Sequence, residues 1–319
     1  SKRRSNMSTS VRVGTESTAT LGGRRETLIS RIARQTGRMG LLFPAVALMA
    51  VFLVGPIAYS VYGSLTNAAL SGYKAANPEF VGLENYVELL TSNAFWKAVL
   101  LTVIFVFASA VVGQNILGLA LAMLMRKAPK ILSTLVGGVV VIAWVMPEIV
   151  AAFALYAFFS TDGTLNVLLS YIGLGGTTWL LTFPMFSVIM ANIWRGTAFS
   201  MMVYSAALAE VPPEIQEAAK VDGARGWQRF FFVTLPMIKG SISTNLLLTT
   251  LQTLGVFTLL WVMTGGGPGT QSTTLPVMAY QEAFKNSLIG YGTAIATVTI
   301  VLGALFALVY IRALKPEVD

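Results

Sequence analysis

The chemistry open to this chain is narrowed first by what it lacks. Its 319 residues include no cysteine and no histidine, so it has no thiol nucleophile, disulfide or thiolate metal site, and the commonest proton shuttle and metal ligand are missing too. Two kinds of polar feature remain. One is a charged connector, EIQEAAKVDGARGWQRFFFVTLP, from Glu214 to Pro236. The other is a set of lone polar side chains inside apolar runs: Gln114, Asn115, Glu148, Asn192, Asn245 and Gln252. Such groups are expensive in hydrocarbon and face either a cavity or a partner helix. Amides supply hydrogen-bond donors and acceptors, and Trp144, Tyr156, Trp194 and Trp261 supply flat apolar faces, a combination suited to recognising a polar solute. Interhelical hydrogen bonding is the commoner use of a buried amide, and Trp194 beside Arg195 reads as an interfacial belt residue. Glu148 is the sharper case, with structural pairing and a transport role both open. No carboxylate pair falls within the runs, which leaves acid–base or metal catalysis without its parts.

The elements that must hold these residues follow from composition. The chain is 55% hydrophobic and 11% charged, far below the roughly 25% charge of soluble domains. Six apolar runs are long enough to cross a bilayer, at about 41–63, 95–125, 131–159, 178–203, 240–262 and 288–312. Lipid offers no partner to bare backbone, so an all-α membrane protein is expected. With the N-terminus inside, nineteen of the 22 Lys and Arg fall on one face, against Lys74, Lys97 and Lys285 on the other. This bias places both termini and the charged connector in the cytoplasm and accounts for the net charge of +8 without nucleic acid. Residues 1–38 read as a basic cytoplasmic tail, with a basic helix over Arg24–Met39 on the inner leaflet; 39–312 form the membrane domain and 313–319 a cytoplasmic tail. The first run, with Pro44 and Pro56, reads as a retained span and not a cleaved signal. Outside, NPEFVGLENYVELL predicts a turn at Asn77-Pro78 and a short amphipathic helix using Val81, Tyr86, Leu89 and Leu90. Asp162-Gly163 marks a turn before another short helix.

The connector has its own logic, within a loop spanning 206–237. Pro212 and Pro213 suit a helix start, and Glu214 and Glu217 lie near its positive end. Ile215, Ala218, Ala219 and Asp222 share a face of small side chains, Gly223 ends the helix, and a second short helix follows from Arg225 until Leu235-Pro236 stops it. Trp227, Phe230, Phe231 and Phe232 are expected to root that second helix on the bundle. A surface hairpin resting on lipid is one use of such an elbow; insertion into a protein socket is the other. The glycine-rich TGGGPGT lacks the Gly-Lys-Ser/Thr ending of a phosphate loop, and DGARG follows no strand, so both read as flexible turns and the chain has no visible means of binding ATP.

The connector resembles the EAA motif of permease subunits in binding-protein-dependent ABC importers: Glu217-Ala218-Ala219, three residues, Gly223, nine residues, Val233, then Leu235-Pro236. The fuller sugar-importer form is present through Asp222-Gly223-Ala224 and Phe230. The resemblance extends over about 38–312, through FVGLENYVELLTSNAFWKAV, GTLNVLL, TGGGPGTQSTTLPVMAYQEAF and GYGTAIA, and is closest to the first of two unlike permeases, the maltose MalF-like or glycerol-phosphate UgpA-like kind. It implies a six-span permease in a prokaryotic plasma membrane that imports a carbohydrate such as trehalose or maltose. The implied partners are a second, MalG-like permease, two copies of an ABC ATPase that bind ATP and Mg, and an extracytoplasmic sugar-binding protein or lipoprotein. The chain would hold no cofactor and be no enzyme alone, the assembled complex being the transport ATPase. Glu217, Ala218, Ala219, Asp222, Gly223, Ala224, Leu235 and Pro236 would couple to the ATPase, while Gln114, Asn115, Trp144, Glu148, Asn192, Asn245 and Gln252 are candidates for the sugar path. Glu148, in VMPEIV, departs from the family pattern, where that position is apolar. An ion-coupled secondary transporter of a small polar solute is the alternative, weakened because Glu148 is the sole carboxylate deep in a span and no internal two-fold symmetry is evident.

Overall fold

The computed structural model describes residues 43–313. The predicted basic tail and its Arg24–Met39 helix, and the C-terminal tail, lie outside the described residues. Among those described, the secondary structure is helical, apart from one isolated bridge between Thr66 and Phe80. The long elements are α1 (Phe43–Ser64), α2 (Glu84–Thr91), α3 (Asn93–Lys127), α4 (Lys130–Val145), α5 (Glu148–Phe159), α6 (Thr164–Tyr171) and α7 (Pro184–Ala209). After them come α8 (Pro213–Val221), α9 (Gly226–Met237), α10 (Lys239–Leu254), α11 (Thr258–Met263), α12 (Leu275–Tyr280) and α13 (Ile289–Ala313). The chain divides into two compact units at Pro56/Ile57, and the second holds the apolar clusters and the polar sites.

Two of the six expected spans are broken. The run 131–159 stops at Val145 because Met146 precedes Pro147: the proline ring pushes Met146 into an extended conformation (ψ 132°), and α5 restarts at Glu148. The run 240–262 stops at Leu254, where Gly255 can leave the helix at little cost, and resumes as α11. The fourth run is shifted: Phe183, held off the helix before Pro184, delays α7, which then continues to Ala209. Arg195 therefore lies in the middle of a helix. Among the described residues, four stretches are long and apolar enough to cross a membrane, Phe43–Ser64, Asn93–Lys127, Glu148–Tyr171 and Ile289–Arg312, with α9 and α10 a fifth if that pair, bent by 70°, counts as one.

Packing falls into three apolar clusters. Phe105, Phe159, Val188, Leu259, Leu260 and Val277 join α3, α5, α7, α11 and α12. Leu89, Phe95, Leu275 and Ile295 seat the predicted amphipathic helix α2 against α12 and α13; its Leu90, in contrast, is exposed. Met201, Tyr204, Leu208 and Ile238 close the end where α7 meets α10. Between α3 and α7 the backbones nearly touch. A Cβ on Gly118 would meet Ser200 and the Met201 backbone, and one on Gly196 would collide with the Gln114 amide. Lipid gives apolar helices no hydrophobic reason to associate, so small residues that permit such contact do much of the holding.

Candidate functional site

Within the bundle, the predicted amides converge. Gln114 and Asn115 lie at the end of a π-helical stretch of α3, Val106–Gln114, Asn192 on α7 and Asn245 on α10, and all four are buried. Asn245 donates from Nδ2 to Asn115 Oδ1 (2.8 Å) and Ser200 Oγ (2.9 Å), and lies 3.2 Å from the Tyr204 hydroxyl. That hydroxyl donates to Asn115 Oδ1. Asn115 Nδ2 donates to the Ala110 carbonyl at 2.6 Å, an acceptor that the widened helix presents sideways. Asn192 Nδ2 reaches Ser109 Oγ at 2.8 Å, and Gln114 Nε2 donates to the Asn192 carbonyl at 3.0 Å. These amides bond helix to helix, and Asn245 Oδ1 alone among them is buried without a partner. Their partners Ser200, Tyr204, Thr249 and Thr253 were missed by reading lone polar residues. The signal was a spacing of four, Asn192-Gly196-Ser200-Tyr204 on α7 and Asn245-Thr249-Thr253 on α10, which puts each set on one face.

Glu148 sits where the two broken spans meet. Its Oε1 accepts from the Leu259 amide at 3.2 Å. It is the first residue of α5, and Leu259 is the second of α11, so the carboxylate lies at the positive ends of two helices. One orphan first-turn amide left by the break at Gly255 thereby gains an acceptor.

The remaining path candidates are accessible or engaged elsewhere. Gln252 is exposed. Trp144 is partly exposed and stacks on Phe199 (5.9 Å between centroids). Tyr156 lines a cavity of 460 Å³ with Thr161, Thr264 and Pro268. Trp194, the eleventh residue of α7, is 46% exposed and lines an apolar cavity of 540 Å³ with Trp179 and Phe186. Trp261 is occupied by Phe257 and Tyr280, with Lys285 Nζ 4.4 Å from its ring.

Outside the bundle, the elbow forms as its residues dictate. α8 starts at Pro213, and Gly223 takes φ +80°, with the Gly223 amide bonding the Lys220 carbonyl (3.1 Å) and Ala224 that of Ala219 (3.0 Å). No residue of α8 is buried. Ile215, Glu217, Ala218 and Asp222 are exposed, and Val221, absent from the face expected from spacing, is 86% exposed.

Two expectations about the second arm are corrected. Trp227, Phe231 and Phe232 are exposed and do not root it, Phe230 being half-buried; Gln216 Nε2 of α8 instead ties the two arms together by donating to the buried Thr234 Oγ1 at 2.8 Å. Nor does Leu235-Pro236 stop the helix. A π-helical turn over Phe230–Thr234 precedes the proline, with Leu235 bonding back to the Phe230 carbonyl, and the break falls at Ile238. Widening the helix gives the proline ring room that an α-helical turn denies it. The TGGGPGT loop is likewise tied down, not flexible: Ser272 Oγ donates to Thr264 Oγ1 (2.8 Å), Thr273 Oγ1 to the Gly266 carbonyl (2.9 Å) and Lys97 Nζ to Thr270 Oγ1 (2.9 Å).

Residues 114–319 match the family described as binding-protein-dependent transport system inner membrane component. The chain is 31% identical over 290 residues to the trehalose/maltose transport system permease protein MalF of Thermococcus litoralis, covering 89% of this chain and 96% of that one. It is 33% identical to the sulfoquinovosyl glycerol permease protein SmoG of Agrobacterium fabrum (87% and 90%) and 32% identical to the trehalose permease protein SugA of Mycobacterium tuberculosis (89% and 90%). A crystal structure of a bacterial ABC transporter for alginate import shares its fold, with a TM-score of 0.76 at 24% identity over 92% of this chain and all of that one. An all-helical bundle with several membrane-length apolar helices, matched over most of its length, belongs to the binding-protein-dependent transport system inner membrane component family: the chain is a multi-pass ABC transporter permease.

Proposed function

We propose that this permease imports a carbohydrate, a disaccharide such as trehalose or maltose, handed over by an extracytoplasmic binding protein and driven by two ATPase subunits that hold ATP and Mg. A second, unlike permease completes the pathway. The cytoplasmic elbow is the coupling element, and residues 39–312 form the membrane domain with six passes and both termini inside. The observation that carries this reading is α8 itself: a helix with no residue buried, whose exposed Ile215, Ala218 and Val221 offer a small apolar face flanked by Glu217 and Asp222. Such a face, too small to hold lipid well and too apolar to remain in water, fits a protein socket. A ligand shifts a conformational equilibrium only through its differential affinity for the two states, so closure of the ATPase pair must bear on this element to open the permease outward.

The four buried amides hold the bundle in this scheme, which leaves Gln252, Trp144 and Tyr156 as the sugar-facing set. Trehalose or maltose is favoured by the names of relatives 31–32% identical to this chain. Because the chain has no cysteine, Ala218→Cys supplies a single reporter. It should crosslink to a co-purified ATPase subunit, whereas Gly223→Val should abolish sugar uptake with normal expression and continued ATP hydrolysis. Uptake at the wild-type level by Gly223→Val would contradict the coupling role. Uptake into liposomes under an ion gradient, without an ATPase subunit, would restore the secondary-transporter reading.

A further inference from the structure

A cavity of 360 Å³ lies between the end of α3 and the elbow, and its polar lining is basic. Arg126 and Lys127, in the last turn of α3, and Arg229, on α9, all border it, and no carboxylate does. The neutral polar groups there are already engaged: Gln216 bonds Thr234, and the Thr234 hydroxyl lies 3.3 Å from the Arg229 carbonyl. Arg229 Nε is buried and has no acceptor. Three cations and no carboxylate around one space ask for an anion. The floor is apolar, with Met123, Leu208 and Phe230.

Position narrows the ligand. Arg126 and Lys127 are the first charges after the uncharged run 98–125 of α3, the kind of apolar-to-basic boundary that suits lipid phosphates. An anion with an apolar continuation, entering from the membrane plane, matches both the cations and the floor. We propose that this cavity binds the phosphate of an anionic phospholipid from the leaflet at the basic end of the bundle, and so ties the second arm of the elbow to the membrane. Basic pockets between membrane helices are suited to such headgroups. This site is independent of the sugar reading.

The test is native mass spectrometry of the full chain, purified with the subunits that accompany it, after exchange into mixed phosphatidylglycerol and phosphatidylcholine. The wild type should retain phosphatidylglycerol selectively. The double variant Arg126→Gln/Arg229→Gln should weaken that retention roughly thirtyfold, two basic contacts being removed, while Arg126→Lys/Arg229→Lys keeps most of it. Lys239→Gln, which removes an exposed cation outside the cavity, should leave retention unchanged. Equal retention by the double glutamine variant would overturn the proposal, as would an equal loss in Lys239→Gln. Displacement of the lipid by millimolar inorganic phosphate would assign the cavity to a free anion instead. Loss of the ATPase subunits with lipid retention intact would assign it to a protein contact. Should the glutamine variants fail to assemble, the wild type alone decides: no preference for phosphatidylglycerol over phosphatidylcholine overturns the site.

Discussion

The elbow and the amide cluster use polar residues in opposite ways. In α8 the charges stand in water and the apolar face lies open, with no residue buried. In the cluster, Asn115, Asn192 and Asn245 are buried at 7%, 3% and 0% exposure, and their amide groups bond across three helices to one another or to Ser109, Ser200 and Thr253, with Asn245 Oδ1 left without a partner. The difference teaches what a polar residue in a membrane protein signifies. Outside lipid, it marks a surface kept available for something else. Inside, its first obligation is to a partner, because water is not there to satisfy it. Function then falls to the residues left over, which here are few.

Substitutions can break this contrast. The largest loss of stability should come from Gly118→Val, whose added atoms meet the Met201 backbone, which cannot rotate away; overpacking of about 3 kcal/mol should lower the melting point of purified protein and the yield of folded material. Next is Asn245→Leu, which strips a partner from Asn115 and Ser200. A loss of about 1–2 kcal/mol is expected, read by thermal melting; an unchanged melting point would return Asn245 to the pathway set. Glu148→Gln keeps an acceptor for the Leu259 amide but removes the charge at two helix ends, so about 0.5–1 kcal/mol should be lost with the uptake affinity unchanged. A changed affinity would give the carboxylate a transport role. The smallest effect on stability belongs to Ala218→Arg on the exposed face of α8: melting should stay put while uptake is lost. A lowered melting point there would mean that α8 packs in its own chain and would erase the contrast.

The parts legible in the sequence were those governed by local rules. Pro212-Pro213, the Glu-Ala-Ala face and Gly223 dictate a helix, a face and a stop, and the structure has all three, with the glycine at φ +80°. The short helix α2 was legible from its periodicity, and Leu89 is buried as predicted, though Leu90 is not. The misreadings share a cause. Apolar runs look continuous whether or not the helix is, so Pro147 and Gly255 were absorbed into spans that they interrupt. Leu235-Pro236 looked like a stop because a proline breaks an α-helix, yet a π-helical turn over Phe230–Thr234 makes room for it. Aromatic residues in a row suggested an anchor, although consecutive positions on a helix cannot all face the same neighbour.

Composition and spacing alone determined that this chain is a helical membrane protein with a polar elbow, because partition into lipid and helix capping depend on residue type and near neighbours. Which amides meet, that Glu148 caps a helix 111 residues away, and that Arg126 and Arg229 border one cavity were decided only when the helices packed. Those are relations between distant segments, and a hydrogen bond or a shared cavity exists only at distances of a few ångströms that no local pattern encodes.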